Sequence, residues 1–446
     1  MAKISIIVPY LKGPAYLEDC IQSIEDQKMD DIEVILVDDK DGHDVPESIM
    51  QKGFVKYVCM DDEKDVDEFY ERKHAFLAER RRKRLGMTKE EYAAHLLQKE
   101  QLKAEEEEDT DDPNVENPVE GELEITLRPF GVAAARNTGV KYATGTYLYF
   151  LDADDYLLED ALPKLYRLAE EKNADIVTGN RYASWFRPIS FDFEKAKADS
   201  EIEGIVPLEG EALEDVLSTR FTMQHFLIRR SYYDAQGVSF NEMITFYSDV
   251  PVIAQLLAGA KGKMWADGSS IYVWRRRNDP IHLPALSQKK RKRRTDDYIE
   301  SFEAAKEAVK NADESLQFAL NRRLCRFTIS KFPDRLKGSK SVRYTKNLRQ
   351  IPKDQLKKIK KELTFFHGIE LGYIVKGKYR TAKPFERMAH VMQKKRGLLG
   401  KPIQYWRFLD KHIFQKMPVK ENWVFVESFF GKSYSDSPKY LYEYLY

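Results

Sequence analysis

Residues 133–155 read AAARNTGVKYATGTYLYFLDADD. Its first part, together with RPFGV (128–132) just before it, looks helical, and GTYLYFLDADD is an apolar run that ends in carboxylates. A short apolar run of this kind suits a strand buried on both faces of a parallel sheet. Upstream the same grammar repeats. KISIIVPY (3–10) is a continuous apolar strand. YLEDCIQSIEDQ (16–27) places Leu17, Ile21 and Ile24 at helical spacing. IEVILVDD (32–39) is a second strand ending in carboxylates, and FVKYVCM (54–60) reads as a third. Strand–helix–strand order predicts a parallel sheet with right-handed crossovers. Downstream, LPKLYRLAEEKNA is an amphipathic helix and DIVTGN a short strand.

In an open parallel sheet, ligands sit beyond the carboxyl ends of the strands. Both acidic clusters fall there: Asp38 and Asp39 after one strand, Asp152, Asp154 and Asp155 after another. Carboxylates gathered at one edge repel unless a cation or hydrogen-bond donors hold them. Mg²⁺ or Mn²⁺ would do so with one or two carboxylates plus phosphate oxygens. Asp152 or Asp155 could instead cap the helix that follows.

The chain has 446 residues, 42% hydrophobic and 33% charged, a balance that folds. No apolar run is long enough to cross a bilayer. Pro9 interrupts the apolar N-terminus and no small-residue cleavage site follows, so it reads as a strand and not a secretion signal. Cys20, Cys59 and Cys325 lie far apart without pairing or metal spacing, as expected in a reducing cytoplasm. The net charge of zero hides an asymmetry. Residues 281–420 carry 36 Lys and Arg against 13 Asp and Glu, whereas residues 1–280 carry 35 against 56. Such a basic module either meets something anionic or is a solvated face that balances the acidic half. Residues 62–122 change composition to charged helices and an acidic loop, and read as an insertion into the sheet domain. The expected layout is a sheet domain over 1–286 with that insertion, a basic helical region over 287–418, and a strand-like segment over 419–446. The chain stops within an amphipathic helix at Tyr446, as a piece of a longer protein would.

SIIVPY, IEVILVDD, AAARNTGVKYATGTYLYFLDADD and FYSDVP resemble, in order and spacing, an inverting glycosyltransferase of family 2. That resemblance implies the GT-A fold, an α/β architecture with a Rossmann-like, mostly parallel central sheet. It also implies a nucleotide-sugar donor, typically a UDP-sugar. Pro9 and Tyr10 would flank the nucleobase, and Asp39 would accept a hydrogen bond from it. Arg136 would lie near the donor nucleotide, or serve only in packing. Asp152 would contact the ribose or metal, and Asp154 the metal and diphosphate. Inversion needs a base for the acceptor hydroxyl. Asp249, at the start of an apolar helix, stands where the family places its catalytic carboxylate. Ser248 precedes it where relatives often carry Glu, and either residue could be a simple N-cap. Arg275, Arg276 and Arg277 fall in a segment that relatives use as a loop over donor and acceptor, and could bind phosphate groups. His282 could ligate the metal. Tyr182, Trp185 and Trp274 could stack on a sugar or pack in the core.

The last residues, VFVESFFGKSYSDSPKYLYEYL, resemble the start of a CDP-glycerol glycerophosphotransferase domain of teichoic acid and capsule synthesis. Together the two resemblances imply sugar transfer onto an anionic, phosphate-containing cell-wall or capsular polymer. The basic region would collect that polymer or touch anionic lipid at the inner membrane face. A lipid-linked oligosaccharide or protein acceptor, and a non-catalytic scaffold binding an anionic polymer, are the alternatives. No nucleic-acid reader motif accompanies the basic stretch, so nucleic acid is not an expected partner.

Overall fold

The strands β1 (Ile4–Tyr10), β2 (Ile32–Asp38) and β3 (Val55–Cys59) pair in parallel, joined by helices α1 (Pro14–Glu25) and α2 (Glu47–Met50). The computed structural model describes residues 2–39, 45–107, 130–185, 187–198, 201–219, 221–277, 294–335 and 345–400. The chain divides into two compact units, 1–385 and 386–446, and the sheet belongs to the first. The segment 419–446 and His282 lie outside the described residues.

After β3 the chain leaves the sheet through α3 (Met60–Glu63), α4 (Val66–Leu85) and α5 (Lys89–Glu107). It returns by α6 (Val132–Tyr142) into β4 (Tyr147–Phe150), which pairs in parallel with the free side of β1. The strands β5 (Tyr156–Leu157), β6 (Ile176–Ser184), β7 (Lys197–Ala198), β8 (Ile205–Pro207), β9 (Phe226–Arg229) and β10 (Met264–Arg275) complete the sheet. Its main path runs β3-β2-β1-β4-β9-β6-β10-β5. Strand β9, which the sequence patterning does not reveal, lies antiparallel between β4 and β6. The remaining helices of the sheet region are α7 (Ala161–Glu171), α8 (Gly210–Thr219), α9 (Arg230–Gln236) and α10 (Asp249–Gly259). A helical region follows with α11 (Arg294–Ala308), α12 (Glu314–Arg335), α13 (Lys353–Glu362), α14 (Phe365–Val375) and α15 (Tyr379–Gly400).

The continuous apolar strands serve two cores because successive side chains point to opposite faces. Ile4, Ile6 and Val8 join Val34 and Leu36 against Leu17, Ile21 and Ile24 of α1 and Leu162 and Leu165 of α7. On the other face, Ile7, Leu148 and Phe150 pack with Val250 and Ile253 of α10 and with Tyr298, Phe302 and Leu324 of α11 and α12. Each such side chain withdrawn from water stabilises the fold by roughly 1.5–3 kcal/mol. Residues 294–335 thus share a core with the sheet. No described helix is long and apolar enough to cross a membrane.

The chain crosses from β1 to β2 and β3 on one side and reaches β4 on the other. A crevice therefore opens beyond the carboxyl ends of β1 and β4, at a reversal of strand order. Close packing of α6 on β1 shapes it. A Cβ on Gly139 would stand 2.5 Å from Ile7 Cγ2 and 3.3 Å from Val37 Cγ2. Gly139→Ala should therefore lower the melting temperature, although alanine favours a helix by up to about 1 kcal/mol. Overpacking of about 1–3 kcal/mol outweighs that gain, and a thermal melt of the variant checks the sign.

Candidate donor and acceptor site

The residues at the crevice are connected through buried charges. Asp39 directly follows β2, and its backbone N–H donates to the Tyr10 carbonyl at 2.9 Å. Its Oδ2 accepts from the Gly131 N–H at 2.7 Å, just before α6. Its Oδ1 is buried with no partner. Burial pushes the Asp39 carboxyl up to about 7, against the opposing effects of the Gly131 N–H and the Lys73 ammonium. The neighbouring Asp38 instead accepts the Tyr57 hydroxyl at 2.9 Å. Pro9 pairs in register with Val37, whereas the Tyr10 ring is buried in the core and offers no open face for stacking.

Arg136, on α6, is the hub of a second group. Its Nη2 donates to Asp152 Oδ1 at 2.8 Å, and both Asp152 and Asp249 act electrostatically on its guanidinium. The other oxygen of Asp152 accepts from Gln224 Nε2 at 2.6 Å. Asp249, the first residue of α10, is buried and accepts from the Met223 N–H at 3.3 Å. Burial raises its carboxyl pKa, and the Arg136 charge opposes the rise. Ser248 is the N-cap of α10 but makes no side-chain cap bond. Arg136 Nε and Gln224 Oε1 are buried without partners. Gln224 went unnoticed in the sequence, since a polar residue within FTMQHFLI shows no partner until β9 is placed beside β4.

The third group surrounds Asp154. Its Oδ2 accepts from Arg277 Nε at 2.8 Å. Burial raises its carboxyl pKa, while Arg277 pulls it down. Asp155 is buried and accepts from the Tyr272 hydroxyl and from the Arg275 N–H at 2.8 Å. The next helix, α7, takes Asp160 as its N-cap. Asp152 and Asp155 are thus bound to side chains and strand backbone, and neither caps α7.

The three arginines separate into different environments. Arg275 is buried, with its guanidinium committed to Asp19, the Asp154 carbonyl and the Tyr16 carbonyl. It shapes the site without presenting a donor to it. Arg276 is exposed and lies 5.2 Å from the Trp185 ring centroid and 5.0 Å from that of Trp274. Arg277 reaches Asp154. Trp185 is itself 49% exposed, whereas the Tyr182 ring packs edge-on against Phe191 and Phe193.

Among the described residues, no group of three or more His, Cys, Asp and Glu is arranged to hold a metal. Asp152 is already engaged by Arg136 and Gln224. Asp154 is in turn engaged through Oδ2 by Arg277, so a hard divalent ion there would have to be shared with diphosphate oxygens. Removing Arg136 should leave Asp152 and Asp249 without their cation. Arg136→Met should destabilise the fold by roughly 3–5 kcal/mol near pH 7. The loss should shrink as pH falls and the raised Asp249 carboxyl takes up its proton; urea titrations at two pH values measure it.

The sequence pattern of glycosyl transferase family 2 matches residues 5–61 and 124–233, and skips the segment that holds α4 and α5. An uncharacterized glycosyltransferase of Bacillus subtilis strain 168, EpsJ, is 30% identical over 162 residues, covering 36% of this chain and 45% of that protein. The poly(ribitol-phosphate) beta-glucosyltransferase of Bacillus spizizenii is 25% identical over 179 residues, 40% of this chain and 19% of that protein. The chain spans less than half the length of either relative. The structure of S. aureus TarS 1–349 in complex with UDP-GlcNAc superposes with a TM-score of 0.54 at 15% identity, over 86% of this chain and 92% of that one. At that identity the likeness is one of fold. The matched pattern, the switch of strand order and the carboxylates beyond it converge: residues 5–61 and 124–233 carry the pattern of glycosyl transferase family 2, on a GT-A-like fold.

Proposed function

We propose that the protein transfers a sugar from a UDP-sugar, with inversion, onto a hydroxyl of a phosphate-containing teichoic acid or capsular polymer. The observation that carries this reading is Arg136 standing between Asp152 and Asp249. It joins the strand end that carries the DAD triplet to the helix start that carries the base. In this reading Asp39 receives the N3–H of uracil on its unpartnered Oδ1. Asp154 holds Mg²⁺ or Mn²⁺, and such an ion would neutralise charge on the departing diphosphate. Asp152 is kept off the ion by its two protein partners and orients the ribose side of the site.

Asp249 takes the proton from the acceptor hydroxyl as that oxygen forms its bond to the anomeric carbon. The bond from that carbon to the phosphate oxygen breaks, and UDP leaves with the electron pair. One carboxylate suffices for a single displacement, and burial keeps Asp249 more basic than an exposed aspartate. In this reading Arg276 and Arg277 are the arginines of the 275–277 run that would meet phosphate, and Arg277 would exchange Asp154 for it. The Asp19, Tyr16 and Asp154 contacts of Arg275 make it a support for that segment. Trp185, exposed beside Arg276, is the aromatic placed to meet a sugar ring.

The polymer acceptor rests on two features. One relative is named for transfer to poly(ribitol-phosphate). The segment 281–420 carries the excess of 36 cationic over 13 anionic side chains that a polyphosphate attracts. The cytoplasmic location, with peripheral contact at the inner membrane face, belongs to the same reading: UDP-sugars and a growing polymer meet there. The division proposed with it is one of charge, an acidic sheet region to residue 286 and a basic helical region to 418, whose first helices α11 and α12 share the core of the sheet.

Asp249→Asn and Asp154→Ala should each lower transfer at least about a hundredfold, the usual scale for a general base or an electrostatic clamp. Both should melt near the parent temperature. The rate should also fall on the acid side with an apparent pKa above that of an exposed aspartate, because the raised Asp249 is protonated there and cannot take the proton of the hydroxyl. Product mass spectrometry with poly(ribitol phosphate) and poly(glycerol phosphate) acceptors reads both; normal turnover in either variant would place the chemistry elsewhere.

Nucleobase recognition has its own pH signature. Asp39, pushed up to about 7, is neutral below that pH and ionised above it. A carboxylate accepts the uracil N–H more strongly than a carboxylic acid. Uridine, which has no phosphate to titrate, should bind several-fold tighter at pH 8 than at pH 6, and Asp39→Asn should flatten that dependence in an NMR titration.

A further inference from the structure

The insertion helix α4 lies outside the segments matched by the family pattern, yet it is docked at Asp39. Phe69 is buried with its ring centroid 5.0 Å from that of Phe130. Phe130 precedes Gly131, the residue whose N–H holds Asp39 Oδ2. Phe69 also shares a core with Val37 at the end of β2 and with Ala134 and Ala135 of α6, and Tyr70 packs against the same core. One turn further on, Lys73 lies 5.2 Å from the Phe69 ring centroid. Lys73 and Tyr70 are both close enough to Asp39 to interact with its charge. The anchor continues along the helix: Arg80 pairs with Asp297 at 2.7 Å and with Glu300 at 2.7 Å, both on α11. The Lys73 ammonium therefore lies within electrostatic range of the Asp39 carboxylate, which keeps a buried oxygen without a partner.

We propose that α4 forms one wall of the nucleobase subsite and that Lys73 is a residue that determines base specificity there. The inference rests on the reading of Asp39 as the acceptor for the base. Uracil presents an N–H flanked by two carbonyls. Asp39 Oδ1 matches the N–H and the Lys73 ammonium matches a flanking carbonyl, with the Tyr70 side chain closing the wall beside them. Cytosine keeps the O2 carbonyl but offers a bare N3 and, in place of O4, an amino group, so with Lys73 on the O4 side it meets acceptor with acceptor and donor with donor. A charged segment read from sequence as an insertion into the sheet domain thereby becomes part of the donor site.

The test uses the full chain, with uridine, UDP and CDP titrated into the parent, Lys73→Met, Lys73→Gln and Asp39→Asn proteins. Lys73→Met is expected to weaken uridine and UDP alike by about tenfold, the scale of a lost hydrogen bond to a charged donor. It should also narrow the preference for UDP over CDP. Lys73→Gln, which keeps a donor, should recover part of the loss and serves if Lys73→Met melts early. Unchanged uridine affinity in both Lys73 variants, with Asp39→Asn impaired, would overturn the role of α4 and leave the Asp39 reading intact. Equal losses for UDP and CDP with uridine unaffected would also overturn it, since Lys73 would then act on phosphate charge alone. Unchanged uridine binding in Asp39→Asn would sink the Asp39 reading itself and the inference with it.

Discussion

The pairing of Arg136 with Asp152 is the contact on which the arrangement of the crevice depends. A guanidinium this deeply buried is tolerable only beside carboxylates, and the buried Asp249 carboxylate in turn is tolerable only near a cation. Arg136 comes from α6, Asp152 from the end of β4 and Asp249 from the start of α10. Satisfying one charge therefore fixes the relative positions of three elements that are distant in sequence. Gln224, entering beside β9, completes the same constraint by occupying the other oxygen of Asp152.

That constraint sorts the acidic residues by role. Asp155 is bound to β10 through Tyr272 and the Arg275 N–H, and is structural. Asp152 is bound to Arg136 and Gln224. Asp154 is held through the Arg277 guanidinium, a group on a segment that ends the described part of β10 and its exit. The carboxylates of one short triplet thus differ in what they can still do, because each faces a different neighbour. The same logic separates Asp38 from Asp39, one bonded to a tyrosine hydroxyl and the other left with an unpaired oxygen.

The helical segments that interrupt and follow the sheet are integral to it. Phe69 of α4 enters a core with β2 and α6, and Tyr298 of α11 stacks on Phe327 of α12 at 3.3 Å between centroids within the core that includes α10. Helix α10 carries Asp249, so the packing of α11 on α10 bears on the position of the proposed base. Arg80, reaching from α4 to Asp297 and Glu300, ties the insertion to that same helix α11.

The apolar runs of β1, β2 and β4, the helical period of α1 and the carboxylates at the strand ends were legible in the sequence by itself, because they are local patterns with a period of two or 3.6 residues. The motif containing Arg136, Gly139 and Asp152 was legible in another way, as a resemblance to family 2 glycosyltransferases. Only the tertiary structure decided which carboxylate has a partner, that β9 lies between β4 and β6, that Arg275 is buried while Arg276 is exposed, and that α4 packs against Val37 and Phe130 beside Asp39. These are matters of which distant side chain arrives within hydrogen-bonding range, and burial then multiplies the consequence of each meeting by removing the water that would otherwise screen it. A one-dimensional pattern records what each residue can offer, and the packed core determines what it meets.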